Sequence, residues 1–348
     1  MAPAQSDRPI FILGCPRSGT TLVQAMLHSH PRIAIPPENR FVIPAYEERL
    51  RFGDLAKRPN RRELGRFIVA RGRKFRDFGL ERRETVRRVA TGPPTLGSAL
   101  GIVLRSYAER FESPRWGDKR PLYSSYIPTL VRLFPDAQIV HVVRDPRDCV
   151  ASLKRMPWWT AGTYHAVAAW ASAVDHTESA ARRWPGLVAR VQYERLVAEP
   201  ETELRALCEA LGETYDPAMV EPERVAPIAV PERKHWHANT RVGPMTERIG
   251  AWESGLEPWE VALIEAALRG RMTTLGYEST GTASPGALHL ARYTATLAAR
   301  RALRRSKLVK DRLDQRREPN PVSALLTTGQ LAAAAGRAPG AAEPVRSQ

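Results

Sequence analysis

Apolar residues fall in short dense runs, separated by longer stretches with helical periodicity. Pro9-Ile10-Phe11-Ile12-Leu13 is the first run, and Gln138-Ile139-Val140-His141-Val142-Val143 is the strongest. Leu187-Val188-Ala189-Arg190-Val191 is a third, and Arg115-Trp116-Gly117-Asp118-Lys119 is a shorter candidate. Strand-like runs alternating with helical stretches predict a parallel sheet with crossover helices, an α/β fold. Some helix ends are legible. After Val143, Asp145 can cap a helix and Pro146 suits its first position. Residues 200–212 carry Leu204, Leu207, Cys208 and Leu211 at helical spacing, and Gly212 ends the run.

Between the first two strands, the arginine-rich stretch 45–113 reads as several inserted helices. Residues 221–246 hold several prolines and few periodic apolar positions, and read as a mobile loop; 257–270 return to helix. From about 281 the pattern changes. His289 to Arg317 is a basic helix-like stretch with ten Lys or Arg, and Pro319 to Gln348 is dominated by Ala, Pro and Gly. The predicted organisation is one domain over 8–280, a basic helical extension over 281–318, and a disordered tail over 319–348. No internal repeats are found.

Composition narrows the partners. The 348 residues suffice for one large domain, and the formal net charge of +16 points to anionic partners. Cys15, Cys149 and Cys208 show neither zinc spacing nor a disulfide framework, and read as free thiols of a reducing cytoplasm. The N-terminal residues lack a signal-peptide pattern, and no apolar stretch reaches the roughly 18 residues of a membrane span. A soluble cytoplasmic protein is expected.

The candidate chemistry begins at Gly14-Cys15-Pro16-Arg17-Ser18-Gly19-Thr20-Thr21, between the first apolar run and a helical one. A strand–loop–helix junction aims backbone N–H groups and the helix N-terminus at one spot. Gly19 allows close approach, and Ser18, Thr20 and Thr21 add hydroxyls, so the loop suits one phosphate group. The lysine that would reach a triphosphate is replaced by Thr20, and no strand ends in a convincing magnesium-binding Asp. A triphosphate with its metal is therefore disfavoured. A second constellation, Val142-Val143-Arg144-Asp145-Pro146-Arg147-Asp148-Cys149-Val150-Ala151-Ser152-Leu153, puts an arginine at a strand's carboxyl end and a serine eight residues on. Arg144 can offer its planar fork to a dianion; the alternative is a structural ion pair with Asp145 or Asp148.

The loop Pro16 to Thr21 resembles that of sulfotransferases using 3′-phosphoadenosine 5′-phosphosulfate, PAPS. The run Pro16 to Phe41 is especially similar to the tyrosylprotein sulfotransferase branch and its bacterial relatives. The resemblance implies a P-loop-like parallel β-sheet flanked by helices on both faces, and metal-independent transfer of a sulfuryl group to a hydroxyl or phenol. It implies that Arg17, Ser18, Gly19, Thr20 and Thr21 bind the 5′-phosphosulfate, and that Arg144 and Ser152 bind the 3′-phosphate. Lys119 in Trp116-Gly117-Asp118-Lys119-Arg120-Pro121 then serves the bridging oxygen with Arg17, and Glu38 is the base. Tyr193 either touches the nucleotide or only packs, and Arg248 reaches the 3′-phosphate, with Trp252 behind the adenine and the 221–246 loop closing over the cofactor.

Several readings stay open at this stage. Lys119 could pair at the surface with Asp118 or Glu112, and Glu38 could cap a helix before Arg40. His28 and His30 lie close by, His30 read as structural; other sulfotransferase branches use a histidine base. Met156-Pro157-Trp158-Trp159 can line an acceptor pocket or simply pack. His235-Trp236-His237 has no third ligand at convincing spacing and is not read as a metal site. Aromatics do not interleave with the basic 289–317 stretch, so no nucleic-acid partner is expected. Contact of that stretch with an anionic membrane is the alternative to a solvated helix. The acceptor is a small molecule, glycan, lipid or peptide. A P-loop nucleotide-dependent kinase and a non-catalytic basic adaptor are the rival functions.

Overall fold

The computed structural model describes residues 7–225, 246–281 and 284–325. Five parallel strands form one sheet in the order β2-β3-β1-β4-β5. They are β1 (Ile10–Gly14), β2 (Ile33–Ala34), β3 (Arg115–Lys119), β4 (Gln138–Val143) and β5 (Val188–Gln192). All residues of β1 and β4 are buried, Gln138 and His141 of β4 included, as expected of strands covered on both faces. The two-residue β2 was not foreseen, because it is too short to show a period. The short run at 115–119 is a full strand in register with β1, pairing Ile12 with Lys119.

Side chains alternate across this sheet, and each face has its own core. Phe11, Leu13 and Ile139 point into one core, covered by α2 (Val42–Glu47), α3 (Arg58–Val69), α4 (Arg73–Arg76), α5 (Arg82–Thr91), α6 (Leu96–Glu109) and α7 (Ile127–Leu133). Of these, α2 to α6 are the helices expected in the arginine-rich stretch, while α7 lies between β3 and β4. Ile10, Ile12, Val140 and Val142 point the other way, against α1 (Thr20–His28), α10 (Tyr193–Ala198) and α11 (Pro200–Leu211). A third core joins α8 (Pro146–Lys154), α9 (Gly162–Arg183), α12 (Pro258–Thr274) and α13 (Ala287–Gln315). The expected caps are present. Asp145 accepts from the Arg147 amide, and Gly212 closes α11 in the left-handed conformation at φ 72°.

The C-terminal part differs from expectation. The basic stretch is the helix α13, but it shares the third core through buried Tyr293 and half-buried Leu290 and Leu297. The tail expected to be disordered from Pro319 instead packs on the body as far as Leu325. Val322 and Ala324 are buried in the first core; the Gly97 amide donates to Val322 O at 2.8 Å and the Ala324 amide to Leu133 O at 2.7 Å. A Cβ on Gly97 would stand 2.4 Å from Leu133 O and 2.6 Å from Ala324 N. This close backbone approach needs glycine, and composition alone does not reveal it. Glu318 anchors the segment between Arg49 and Arg132. Residues 326–348 lie outside the described residues, as do 226–245 of the predicted loop and with them His235-Trp236-His237. No described helix is long and apolar enough to cross a membrane.

Candidate active site

The carboxyl ends of β1, β3 and β4 deliver the candidate residues to one crevice, where the strand order changes direction. The loop after β1 is shaped by its backbone. Ser18 N donates to Cys15 O at 3.1 Å, and Arg17 adopts a left-handed φ of 73°. Such a conformation is strained for a residue with a Cβ. Gly19, at φ 97°, opens α1, and a Cβ there would meet the Tyr193 ring at 2.4 Å. Thr20 and Thr21 are buried in the first turn of α1. Ser18 is fully buried, and its Oγ has no hydrogen-bond partner among the described residues. A buried orphan hydroxyl beside free-pointing helix amides is what a phosphate cradle requires.

The second motif closes onto the first. Arg17 Nε donates to Ser152 Oγ at 3.0 Å, across 135 positions of sequence. Arg144 Nη1 donates to Arg17 O at 3.4 Å, and its guanidinium lies over the Tyr193 ring at 4.4 Å. Arg144 also pairs with Asp148 at 3.3 Å, the structural partner considered from sequence, yet its Nε is buried without a hydrogen bond. The same Asp148 accepts from Gly250 N at 3.1 Å and Trp252 N at 3.0 Å. It therefore ties Arg144 to the segment carrying Arg248, whose carbonyl accepts from Arg144 Nη2. Trp252 stacks on the Arg147 guanidinium at 4.5 Å. Burial, and then the charges of Arg144, Arg155 and Arg248, bring Arg17 down to about 10. Cations crowded into a desolvated crevice fit a multiply charged anion.

Lys119 stands where β3 ends, 2 % exposed, and is not a surface residue. Its Nζ donates to Thr21 Oγ1 at 3.2 Å and lies 3.8 Å from Glu38 Oε2. Glu38 is also 3.9 Å from Arg120. The Glu38 carboxylate therefore faces the crevice and does not cap a helix. Three residues that sequence reasoning missed hold this side together. Asp118 is fully buried; its Oδ2 accepts from Asn39 and from Tyr123, and its Oδ1 from the Lys119 amide at 2.8 Å. Asn39 Oδ1 in turn accepts from Phe41 N at 3.0 Å. A polar residue between Trp116 and Lys119 was the available signal, but its partners come from another segment.

The nearby histidines serve the backbone. His28 Nδ1 accepts from Ile35 N at 2.9 Å, and burial pushes its pKa down to about 4. His30 Nε2 bonds Thr214 O at 2.8 Å. Trp158 is exposed, whereas Trp159 is half-buried against the third core.

Comparison with known proteins agrees with this geometry. The family model described as the Sulfotransferase family matches residues 9–217. The protein-tyrosine sulfotransferase of Drosophila melanogaster is 27% identical over 284 residues, covering 77% of this chain and 51% of that protein. Nodulation protein NoeE of Sinorhizobium fredii is 28% identical over 230 residues, covering 60% and 50%. The chain thus spans about half the length of these curated relatives. The sulfotransferase domain of the Synechococcus PCC 7002 olefin synthase shares the fold, with a TM-score of 0.55, 21% identity, and coverage of 80% of this chain and 98% of that domain. The match over 9–217 takes in the loop after β1, the Arg144 to Ser152 motif, Glu38 and Lys119, and the chain belongs to the sulfotransferase family.

Proposed function

We propose that the chain transfers a sulfuryl group from PAPS to a hydroxyl or phenol acceptor. The observation that carries this reading is the meeting of Lys119, Thr21 and Glu38 beside the loop after β1. A cation and a carboxylate share one point at the mouth of a phosphate cradle. The donor supplies an activated sulfate, whose sulfur–oxygen bond to phosphate breaks as the acceptor oxygen bonds sulfur. Ser18, Gly19, Thr20 and Thr21 hold the 5′-phosphate, while Arg144, Ser152 and Arg248 hold the 3′-phosphate against Tyr193. Arg17 and Lys119 stabilise the charge that builds on the leaving oxygen, a task worth ~10²–10³ in rate for one donor. Glu38 takes the acceptor proton.

In this reading these side chains neutralise the leaving group without a metal. A cytoplasmic location suits the three buried free thiols. The acceptor is a small molecule, glycan, lipid or peptide. Contact of α13 with anionic lipid remains part of the proposal, supported by exposed Leu303, Val309 and Leu313 beside its cations.

The test is calorimetric binding of 3′,5′-adenosine bisphosphate in EDTA, paired with a screen for ³⁵S transfer from labelled PAPS to acceptors. Binding that does not need magnesium, together with transfer, supports the reading. Tight ATP binding that requires magnesium would overturn it in favour of a kinase.

A further inference from the structure

The inner face of α13 carries cations that the reading above does not use. Arg300 and Arg304 lie one helical turn apart, both half-buried, and the Nε of each is shielded from solvent with no hydrogen-bond partner among the described residues. His176 of α9 has its Nδ1 in the same condition. Burial, with the charges of Arg304 and Arg300 next to it, depresses His176 to about 4, so the ring is neutral near pH 7. Burial also lowers both arginines.

Other basic residues of this region find acids. Arg301 and Arg271 share Asp175, Lys307 reaches Glu47 at 3.3 Å, and Arg49 pairs with Asp311 of the helix at 2.8 Å. Among the described residues, no carboxylate lies within ion-pair distance of Arg300 or Arg304. Partly desolvating two guanidinium groups without a counter-charge is costly, and an incoming anion offsets that cost.

The position of the pair is informative. The helix meets the loop after β1 in the third core, which takes in both Cys15 and Tyr293. One turn beyond Arg304, Lys307 donates to Tyr126 OH at 3.1 Å and to Glu47. Tyr126 follows the turn Pro121–Ser125 that leaves Lys119, and Glu47 ends the helix that follows Glu38. The 300–307 stretch therefore runs past all three chain segments that leave the site.

We infer that Arg300, Arg304 and His176 form an anion-binding subsite on the acceptor side, so that the acceptor carries a carboxylate or phosphate besides the hydroxyl that is sulfated. A planar guanidinium pair suits either group, with the neutral imidazole adding one hydrogen bond. The inference rests on the sulfotransferase reading for the word acceptor, but the anion subsite itself does not.

Two phenols of similar size separate the possibilities, neutral 4-ethylphenol and 3-(4-hydroxyphenyl)propionate. The carboxylated phenol should show a kcat/KM higher by roughly tenfold, the effect of one charge-assisted contact. The double substitution Arg300→Ala/Arg304→Ala should bring the ratio close to one and leave the neutral phenol unchanged. Arg305→Ala/Arg312→Ala removes the same charge from exposed positions of α13 and should keep the preference. Loss of preference in both doubles, or in neither, overturns the subsite. A direct readout guards against an inactive preparation: calorimetric binding of the propionate to protein saturated with 3′,5′-adenosine bisphosphate. Arginine-dependent binding without any transfer keeps the subsite and sinks the sulfuryl-transfer reading. No binding of the propionate sinks the subsite alone.

Discussion

The two sides of Lys119 are built by different means. On one side, the loop Gly14–Thr21 takes its shape from backbone: left-handed Arg17, glycine at position 19, and the first amides of α1. On the other side, Pro36–Phe41 has no regular structure, and side chains from elsewhere fix it. Gln24 of α1 donates to Pro36 O at 2.6 Å, and Asp118 of β3 holds Asn39. A backbone-encoded site depends on conformation and fails where a Cβ is forced in. A side-chain-encoded site depends on buried hydrogen bonds and fails when one acceptor is changed. The two halves should therefore be separable: one set of substitutions should lose donor binding, and the other should lose turnover alone.

The largest separation should come from Glu38→Gln. The amide keeps the shape of the carboxylate but cannot take a proton, so kcat should fall by ~10²–10⁴, the usual contribution of a positioned base. Binding of 3′,5′-adenosine bisphosphate, measured by calorimetry, should stay at the wild-type value. A parallel loss of both would mean that the Glu38 segment also shapes the donor side, and the division drawn here would collapse.

Gly19→Val should give the mirror image. The new Cβ must adopt a positive φ and displace the Tyr193 ring, 2.4 Å away. Strain and overpacking together cost about 3 kcal/mol, or on the order of 10²-fold in bisphosphate affinity. Adding Tyr193→Ala should recover part of the loss by making room, without removing the φ penalty. Wild-type affinity in Gly19→Val would show that the cradle does not depend on its backbone.

This division also explains what could be read in advance. The loop, Arg144 and Ser152 were legible because their geometry is local: each sits at a fixed offset from the carboxyl end of a strand. Their convergence was implied by parallel β1 and β4, which bring Arg17 and Ser152 within hydrogen-bond distance. Asp118 and Asn39 were not legible, because their partnership joins a strand to an irregular segment 79 positions away. The docking of Val322 and Ala324 was hidden for a similar reason, since it depends on the absence of a side chain at Gly97. Arg300 and Arg304, which have no carboxylate partner among the described residues, were invisible within a run of basic residues, where only packing on α9 distinguishes inner positions from outer ones.

The smallest and most diagnostic effect should come from Asp118→Asn. Asparagine keeps one oxygen for Asn39 and Tyr123 but turns an N–H₂ toward the Lys119 amide, so about one buried hydrogen bond is lost. Turnover should fall about tenfold, as expected for a bond of that kind, with bisphosphate binding unchanged. Its pH dependence tests the assignment further. Burial raises the Asp118 carboxyl from 3.8 to about 6, against the lowering effect of its bonds from Tyr123 and Asn39. The folded protein thus holds this proton more tightly than the unfolded chain. The stabilising contribution of the protonated acid is complete below pH 3.8 and is lost as pH rises through about 6. Urea midpoints across pH 4 to 6.5 should carry that downward component in the wild type, and Asp118→Asn should lack it. Parallel wild-type and variant curves would mean that the carboxyl is already ionised throughout.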